Sequence, residues 1–455
     1  MTVTPDDVAA LVLKHYDALP AKRKPKVRGN GLREWVPLAG IVAQGKDDEL
    51  WCISIATGMK CLPSSKVAQA QGNLLHDWHA EVLAIRAFNR FVLEECKSLA
   101  QGDSSKFLRR RTSDEISDSQ KGELGEDKLW PGQPFTWRED VLLHMYCSEA
   151  PCGDASMELI MASQEDATPW ELPPEVTPDS PSTTSPSAPL PGRAYFSHLG
   201  IVRRKPARPD APATLSKSCS DKLALHQLTS LLSSITALLV SPSNAYLQTL
   251  ILPSSRYSAT ACHRAFSSAE GGRMNSLAYL NSSSASTFQG KGGYAFHPFT
   301  VSTTTAEFAF SQKQVKEIAG TTGVAPSNLA LAWTLSGLEE ATLGGVLQGR
   351  KQSSADSRGA SFAARRRLWG LAVEVIDLLL LPFSPSSLPI KQSDEGEMEI
   401  DSLVKIEIQN ALGAKTYGEM KDSALLEARR RVKGEAKAEA LRGWVRNLGD
   451  ESFHL

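Results

Sequence analysis

The chain has 455 residues, 41% hydrophobic and 22% charged, with a formal net charge of −1. That composition suits a soluble globular protein with a substantial core, and it excludes a uniformly polycationic binder, so any nucleic-acid surface must be a local patch. No run approaches the roughly 20 continuous apolar residues of a membrane span, and Asp6 and Asp7 near the start replace the basic end of a secretory signal.

In chain order, 50–57 (LWCISIAT) and 141–148 (VLLHMYCS) are apolar runs of strand length. Each is followed by a helical stretch. The first is His79 to Lys97, with Ala80, Leu83, Ala87, Phe91 and Glu94 at three- and four-residue steps; the second is Gly153 to Ala162. A third helix is expected from Cys219 to Leu239, then a strand from Tyr246 to Leu252 and a helix from Ala259 to Ala269. Leu368 to Phe383 is broken by Gly370, Glu374 and Asp377, so it reads as a buried helix rather than a span. Helices are also expected over Ser402–Leu412 and in the charged region Glu419–Asn447. The alternation predicts an α/β layered sheet covered by helices, with a helical C-terminal extension.

Three stretches read as inserts between elements: 101–127, rich in charge and Ser; 163–192, with eight prolines in thirty residues; and 275–293, rich in Ser and Gly. Loop-closure entropy grows slowly with length, so such inserts leave one folded domain over 1–455. The seven cysteines are odd in number and scattered. They resemble no disulfide framework, which points to a reducing compartment, cytoplasm or nucleus, where thiols are available for metal.

Two clusters carry chemistry. His79-Ala80-Glu81 opens a strong amphipathic helix, where a His can face a metal and a Glu two residues on can reach its bound water. Taken alone, the pattern is ordinarily no more than an exposed His and Glu in a first helical turn. Pro151-Cys152-Gly153-Asp154 follows a strand and opens a helix, a place that favours a thiolate. A second cysteine three residues later would complete the usual zinc-deaminase signature, but Ala155 stands there. The missing thiolate must come from elsewhere. Cys219, between Ser218 and Ser220 at the next helix start, is the candidate; alone it reads as a small buried residue.

Taken together, WHAEVL (78–83), SEAPCGDASM (148–157) and SCSDK (218–222), with ATGMKC (56–61) upstream, resemble the adenosine-to-inosine editase domain of adenosine deaminases acting on RNA. The resemblance covers most of the chain outside the inserts. It implies a cytidine-deaminase-like fold, zinc held by His79, Cys152 and Cys219, Glu81 as proton shuttle, and a substrate pocket that includes Thr57, Gly58, Met59 and Lys60, a stretch that otherwise reads as a β-turn. The three ligand atoms should converge within about 4 Å. A structural zinc staple would instead need a fourth protein ligand, with Cys61, Cys147 and His76 the ones to check.

Editors of double-stranded RNA usually carry RNA-binding modules ahead of this domain, and the first motif, WVPLAGIV, begins at Trp35. The chain therefore resembles the tRNA-specific adenosine deaminase 1 family, of fungal type. That implies tRNA as partner and adenosine 37 of alanine tRNA as target; the sequence gives no sign of a membrane or of an obligate protein partner. The alternatives are a catalytically inactive deaminase fold kept for RNA binding or as a partner subunit, although Glu81 and all three ligand candidates are present, or an editor of double-stranded RNA.

Basic clusters at Lys22–Arg28, Arg203–Lys205, Arg365–Arg367 and Arg429–Arg431 read as solvated faces or phosphate contacts. The resemblance further implies a buried inositol hexakisphosphate, at positions matching Arg86, Lys222, Arg350, Tyr417, Lys421, Arg431 and Trp444. Ile85, Leu225 and Glu427 depart from that pattern.

Overall fold

Residues 52–57 of the run LWCISIAT are all buried, as a strand covered on both faces requires. It is the fifth strand across an eight-stranded sheet. In the computed structural model, which describes residues 3–116, 132–164, 190–191, 196–205, 211–281, 291–352, 357–381 and 395–455, these strands are β1 (Leu38–Gln44), β2 (Leu50–Thr57), β3 (Leu142–Cys147), β4 (Leu247–Pro253), β5 (Thr300–Thr304), β6 (Leu329–Thr334), β7 (Glu339–Leu343) and β8 (Val346–Leu347). Their spatial order is β5-β4-β3-β1-β2-β6-β7-β8. β3, β4 and β5 run parallel, while β1, β2 and β6 to β8 pair antiparallel.

Helices cover both faces. On one side the Pro5–Asp17 helix sets Val8, Val12 and Tyr16 against Val42, Ile55, Tyr146 and Ile251. Its start is fixed by a capping box between Thr4 and Asp7 with Pro5 at the first helical position. On the other side the Ala80–Ala100 helix buries Leu83, Ala84 and Phe88 in one cluster with Ile41, Ile53, Ala56 and Met145. Behind it lies the Arg365–Leu380 helix, tied to the Glu395–Leu412 helix by Trp369 Nε1, which donates to Leu412 O at 2.8 Å. The C-terminal segment closes this layer: Phe453 stacks on Tyr417 at 4.9 Å. No described helix is long and apolar enough to cross a membrane.

Two expectations change. The helix from Cys219 stops at Thr229, where Ser230 takes φ 55°. The carbonyls that continued helix would use are taken by neighbours, Leu231 O by Asn89 Nδ2 at 2.8 Å and Leu232 O by Arg429 Nη2 at 2.5 Å. The stretch 101–127 is folded in its first half: Leu108–Arg110 pairs with Phe135–Trp137, and Phe107, Leu108 and Ile116 are buried. Residues 117–131, 165–189 and 282–290 lie outside the described residues.

Two interior histidines make stability pH-dependent. His76 Nε2 lies 2.8 Å from Asp450 Oδ2, and His226 Nδ1 donates to Ser230 O at 2.6 Å. Burial pushes both down to about 4. Between pH 6.5 and 4 the unfolded chain binds protons that the folded chain refuses. Stability is therefore full above pH 6.5 and falls as pH drops, by up to about 1.4 kcal/mol per pH unit per histidine. The urea midpoint should fall from pH 7 to pH 5, and less steeply in His226→Gln; parallel curves would refute this.

Candidate active site

The site forms where β1 begins and β2 and β3 end, since Leu38 is opposite Thr57 and Ala39 is opposite Cys147. The chain beyond Thr57 stays extended and runs beside the segment leading into the Ala80–Ala100 helix. Ala80 N donates to Gly58 O at 2.9 Å, Trp78 N to Lys60 O at 3.0 Å and Leu62 N to His76 O at 2.9 Å. The stretch Thr57–Lys60 is therefore a pairing strip rather than a β-turn. Gly58, at φ 141°, is required: a Cβ there would sit 2.1 Å from Trp78 O. Thr57 Oγ1 accepts from Leu331 N at 3.1 Å, Met59 is half-buried, and Lys60, at the surface, donates to Asn328 Oδ1.

This strip presents His79 as the residue before the helix, with Glu81 in its first turn. The second wall is the turn after β3, where Gly153 takes φ 102° and packs so closely that a Cβ would lie 2.3 Å from Ser218 Oγ. SCSDK completes it residue by residue. Ser218 Oγ caps its helix by accepting from Asp221 N at 3.1 Å. Cys219 N donates to Cys152 Sγ at 3.3 Å. Ser220 Oγ donates to Pro151 O at 2.9 Å and accepts from Ala155 N at 3.1 Å, bracing the Cys152 turn. Lys222 reaches Asp77.

The outcome is a cluster of one nitrogen and two sulfurs. The donor atoms of His79, Cys152 and Cys219 all lie within 4.8 Å of one another. The His79 Nδ1 to Cys152 Sγ edge is 3.7 Å, close to the roughly 3.6 Å that tetrahedral zinc bond lengths imply. Thus the His79–Cys152 edge meets the expected 4 Å, while the bound on all three atoms is wider. No fourth donor joins this group among the described residues. Cys61 belongs instead to a second group with Asp77 and His79, and the Asp77 carboxylate there is already filled by Lys205, Lys222 and Ser216.

The electrostatics suit a cation between these donors. A hydrogen bond from Cys219 holds the Cys152 thiol well below its usual range, against burial and with help from Lys205 and His79. Burial and Lys205 oppose a charge on His79, yet Cys152 and Cys61 hold its ring up to about 10. Glu81 is 6% exposed; burial, then the Cys152 charge, pushes its carboxyl up, as a proton carrier requires.

Sequence reasoning missed the support behind the cluster. Lys205 donates to Asp77 Oδ2 at 2.8 Å and to Cys219 Sγ at 3.1 Å, and Ser216 Oγ donates to Asp77 Oδ2 at 2.6 Å. Asp77 Oδ1 in turn accepts from His79 N at 3.0 Å. The run Arg203–Lys205 is no solvated face: Arg203 and Lys205 are buried.

A second concentration of charge lies beyond Lys222. Arg86, held down to about 10 by burial and Arg365, has Tyr417 as a neighbour. Burial, then Arg365 and Arg446, lowers Lys421 to about 8, and burial, then Lys222 and Lys437, lowers Lys217 to about 7. Lys433 is lowered well below its usual value by burial and by Arg429, Lys421, Lys437 and Arg446. Lys217 and Lys437 flank the Trp444 ring at 5.5 and 5.7 Å. The structure thus gathers Arg86, Lys222, Tyr417, Lys421 and Trp444, and adds Lys217, Arg365, Lys433, Lys437 and Arg446. Arg350 is exposed, and Arg431 pairs with Glu427 at 2.9 Å on the helix surface. The i, i+4 spacing of Lys433 and Lys437 was the available signal.

Comparison with known proteins matches residues 54–448 to the adenosine-deaminase (editase) domain. The chain is 40% identical over 321 residues to tRNA-specific adenosine deaminase 1 of Schizosaccharomyces pombe, covering 70% of this chain and 73% of that protein. It is 33% identical over 238 residues to the protein of that name from Saccharomyces cerevisiae, covering 50% and 53%. Similarity to the double-stranded RNA-specific adenosine deaminase of Mus musculus is 24% over 153 residues, only 11% of that protein.

Gly153→Ala tests the packing of the two cysteine turns. The added Cβ, 2.3 Å from Ser218 Oγ and at positive φ, should destabilise the fold by about 2 kcal/mol or more and lower metal content measured on the folded fraction. Unchanged values on both counts would show that the turns are not so tightly seated.

Proposed function

The chain belongs to the adenosine-deaminase (editase) domain family, and from that premise we propose that it hydrolyses adenosine to inosine in tRNA, using zinc held by His79, Cys152 and Cys219. The observation that carries this is the convergence of those three donors beside the buried carboxyl of Glu81. The reading treats 1–455 as a single domain, supported by the Pro5–Asp17 helix on one sheet face and Phe453 within the core cluster of the other.

Zinc held by His79, Cys152 and Cys219 would make a water nucleophilic at neutral pH. Glu81 does the proton work. Its carboxylate takes a proton from the water that attacks C6 of the base, and its carboxyl delivers a proton to the departing amino nitrogen. Adenosine and water become inosine and ammonia, and Glu81 ends as it began. Lys205 and the Cys219 amide stabilise the thiolate charge. The strip Thr57–Lys60 lies across from His79 through its backbone pairing and forms one wall for the adenine.

The relatives that support tRNA as substrate are named for it. An anticodon loop offers an unpaired base, which spares much of the cost of extracting one from a duplex. We assign adenosine 37 of alanine tRNA as the target on the family resemblance. The cluster around Lys421, Lys433 and Trp444 fits a buried polyanion, inositol hexakisphosphate. Half-buried cations that depress one another are unfavourable without a counter-anion, and a phosphorylated ring meets many at once.

Inosine formation on transcribed alanine tRNA should fall by roughly 100- to 10,000-fold in Glu81→Gln, with tRNA binding retained. Equal product from both proteins would end the mechanism, and faster reaction on a plain RNA duplex would reassign the substrate. Acid-denatured protein should release an anion carrying six phosphates per chain, counted by phosphate assay; release of none would remove the polyanion.

A further inference from the structure

Two aspartates outside the reacting group stand in equivalent places. Asp154 follows Cys152 by two residues, Asp221 follows Cys219 by two, and both are 0% exposed. Each is held by an arginine from one small unit, the Ala259–Phe266 helix and the 3-10 helix Arg273–Asn281. Arg264 Nε donates to Asp154 Oδ2 at 2.9 Å, and its Nη2 donates to Asp154 O at 3.1 Å and Glu158 Oε2 at 2.9 Å. Arg273 Nη1 donates to Asp221 Oδ1 at 2.6 Å. The remaining carboxylate oxygens are also used. Gly200 N donates to Asp154 Oδ1 at 2.9 Å, while Ser218 Oγ and Arg203 N donate to Asp221 Oδ2 at 2.6 and 2.9 Å. The two arginines are themselves linked, because Arg273 Nε donates to Ala265 O at 2.9 Å.

We propose that Arg264 and Arg273 are positioning residues that clamp the two cysteine turns from behind and thereby set the separation of Cys152 and Cys219. The inference rests on the zinc reading above. A pair of thiolates on two distant stretches of chain has no local geometry to fix its spacing, and like charges that close repel. Apolar packing could hold the turns together but would leave them free to slide. Buried ion pairs contribute little net stability yet are directional, since a misplaced carboxylate loses its partners. Arg264 also forks between two carboxylates, which a lysine cannot do. Outer partners of this kind orient metal ligands, and their loss characteristically costs about 10- to 100-fold in affinity.

The test uses full-length zinc-loaded protein and compares wild type, Arg273→Gln, Arg264→Lys and the double variant Asp221→Asn/Arg273→Gln. Three quantities are read: zinc loss to a chelator, kcat and KM on tRNA, and the unfolding midpoint. Arg273→Gln should speed zinc loss at least about tenfold and lower kcat with KM within about twofold of wild type. Arg264→Lys should lie between. The double variant, which removes both charges of the Arg273–Asp221 pair, should recover much of its midpoint while still losing zinc quickly. If zinc loss and kcat per folded molecule match wild type in Arg273→Gln, or recover with the midpoint in the double variant, the arginines only stabilise the fold and the proposal is overturned. Wild type that holds no zinc and forms no inosine would overturn the functional reading, and the clamp with it.

Discussion

The contact on which the rest depends is the seating of Gly153 against Ser218. It brings a turn after β3 and the start of a helix from a distant part of the chain to within side-chain reach, with no Cβ between them. Once that contact exists, Ser220 can brace the Cys152 turn and the Cys219 amide can point at Cys152 Sγ. His79 is brought to the same place independently, by the strip that pairs Gly58 and Lys60 with residues 78–80. Two unrelated pieces of backbone geometry therefore meet at one point, and the sheet edge is what both are anchored to.

Charge follows from this closeness. Two sulfurs and a carboxyl in a buried space need positive charge nearby. The chain supplies it in layers. Lys205 touches Cys219, Asp77 accepts from Lys205 and from Lys222, and beyond Lys222 lies the gathering of Lys217, Lys421, Lys433 and Lys437. Asp77 is the hinge of the arrangement, since its other oxygen fixes the His79 backbone. Asp77 thus joins the half-buried Lys222, at the edge of the outer cations, to the His79 backbone through hydrogen bonds.

The four residues of the candidate site were legible in the sequence because their motifs are local: His79 and Glu81 two apart at a helix start, Cys152 after an apolar strand, Cys219 in SCSDK. The strand over Leu50–Thr57 was legible to the residue, since a doubly buried strand writes itself as an apolar run. Lys205 and Asp77 were not. Lysine and aspartate ordinarily face water, and their burial here depends on partners 128 positions apart. The Pro5–Asp17 helix was missed although Thr4, Pro5 and Asp7 spell its cap. The early end at Thr229 was not visible in principle, because it is imposed by Asn89 and Arg429 from other helices.

Placing the second cysteine on a separate helix has a consequence that a C-x-x-C pair avoids. In a C-x-x-C pair both thiolates ride on one turn, so the metal geometry survives as long as that turn does. Here the spacing is a tertiary quantity, set by Gly153 on Ser218 and by every bond that crosses between the two turns. The intervening chain can lengthen at small entropic cost, because both its ends are pinned at the site, which is why a Pro-rich stretch can lie between the two cysteines. The same dependence makes the site sensitive to distant packing. Any change that loosens the Cys219–Thr229 helix relative to the sheet moves a sulfur, whereas in a local motif it would move both together. The dense bracing of SCSDK, in which every residue has a partner outside its own helix or a capping role within it, is what such an arrangement demands.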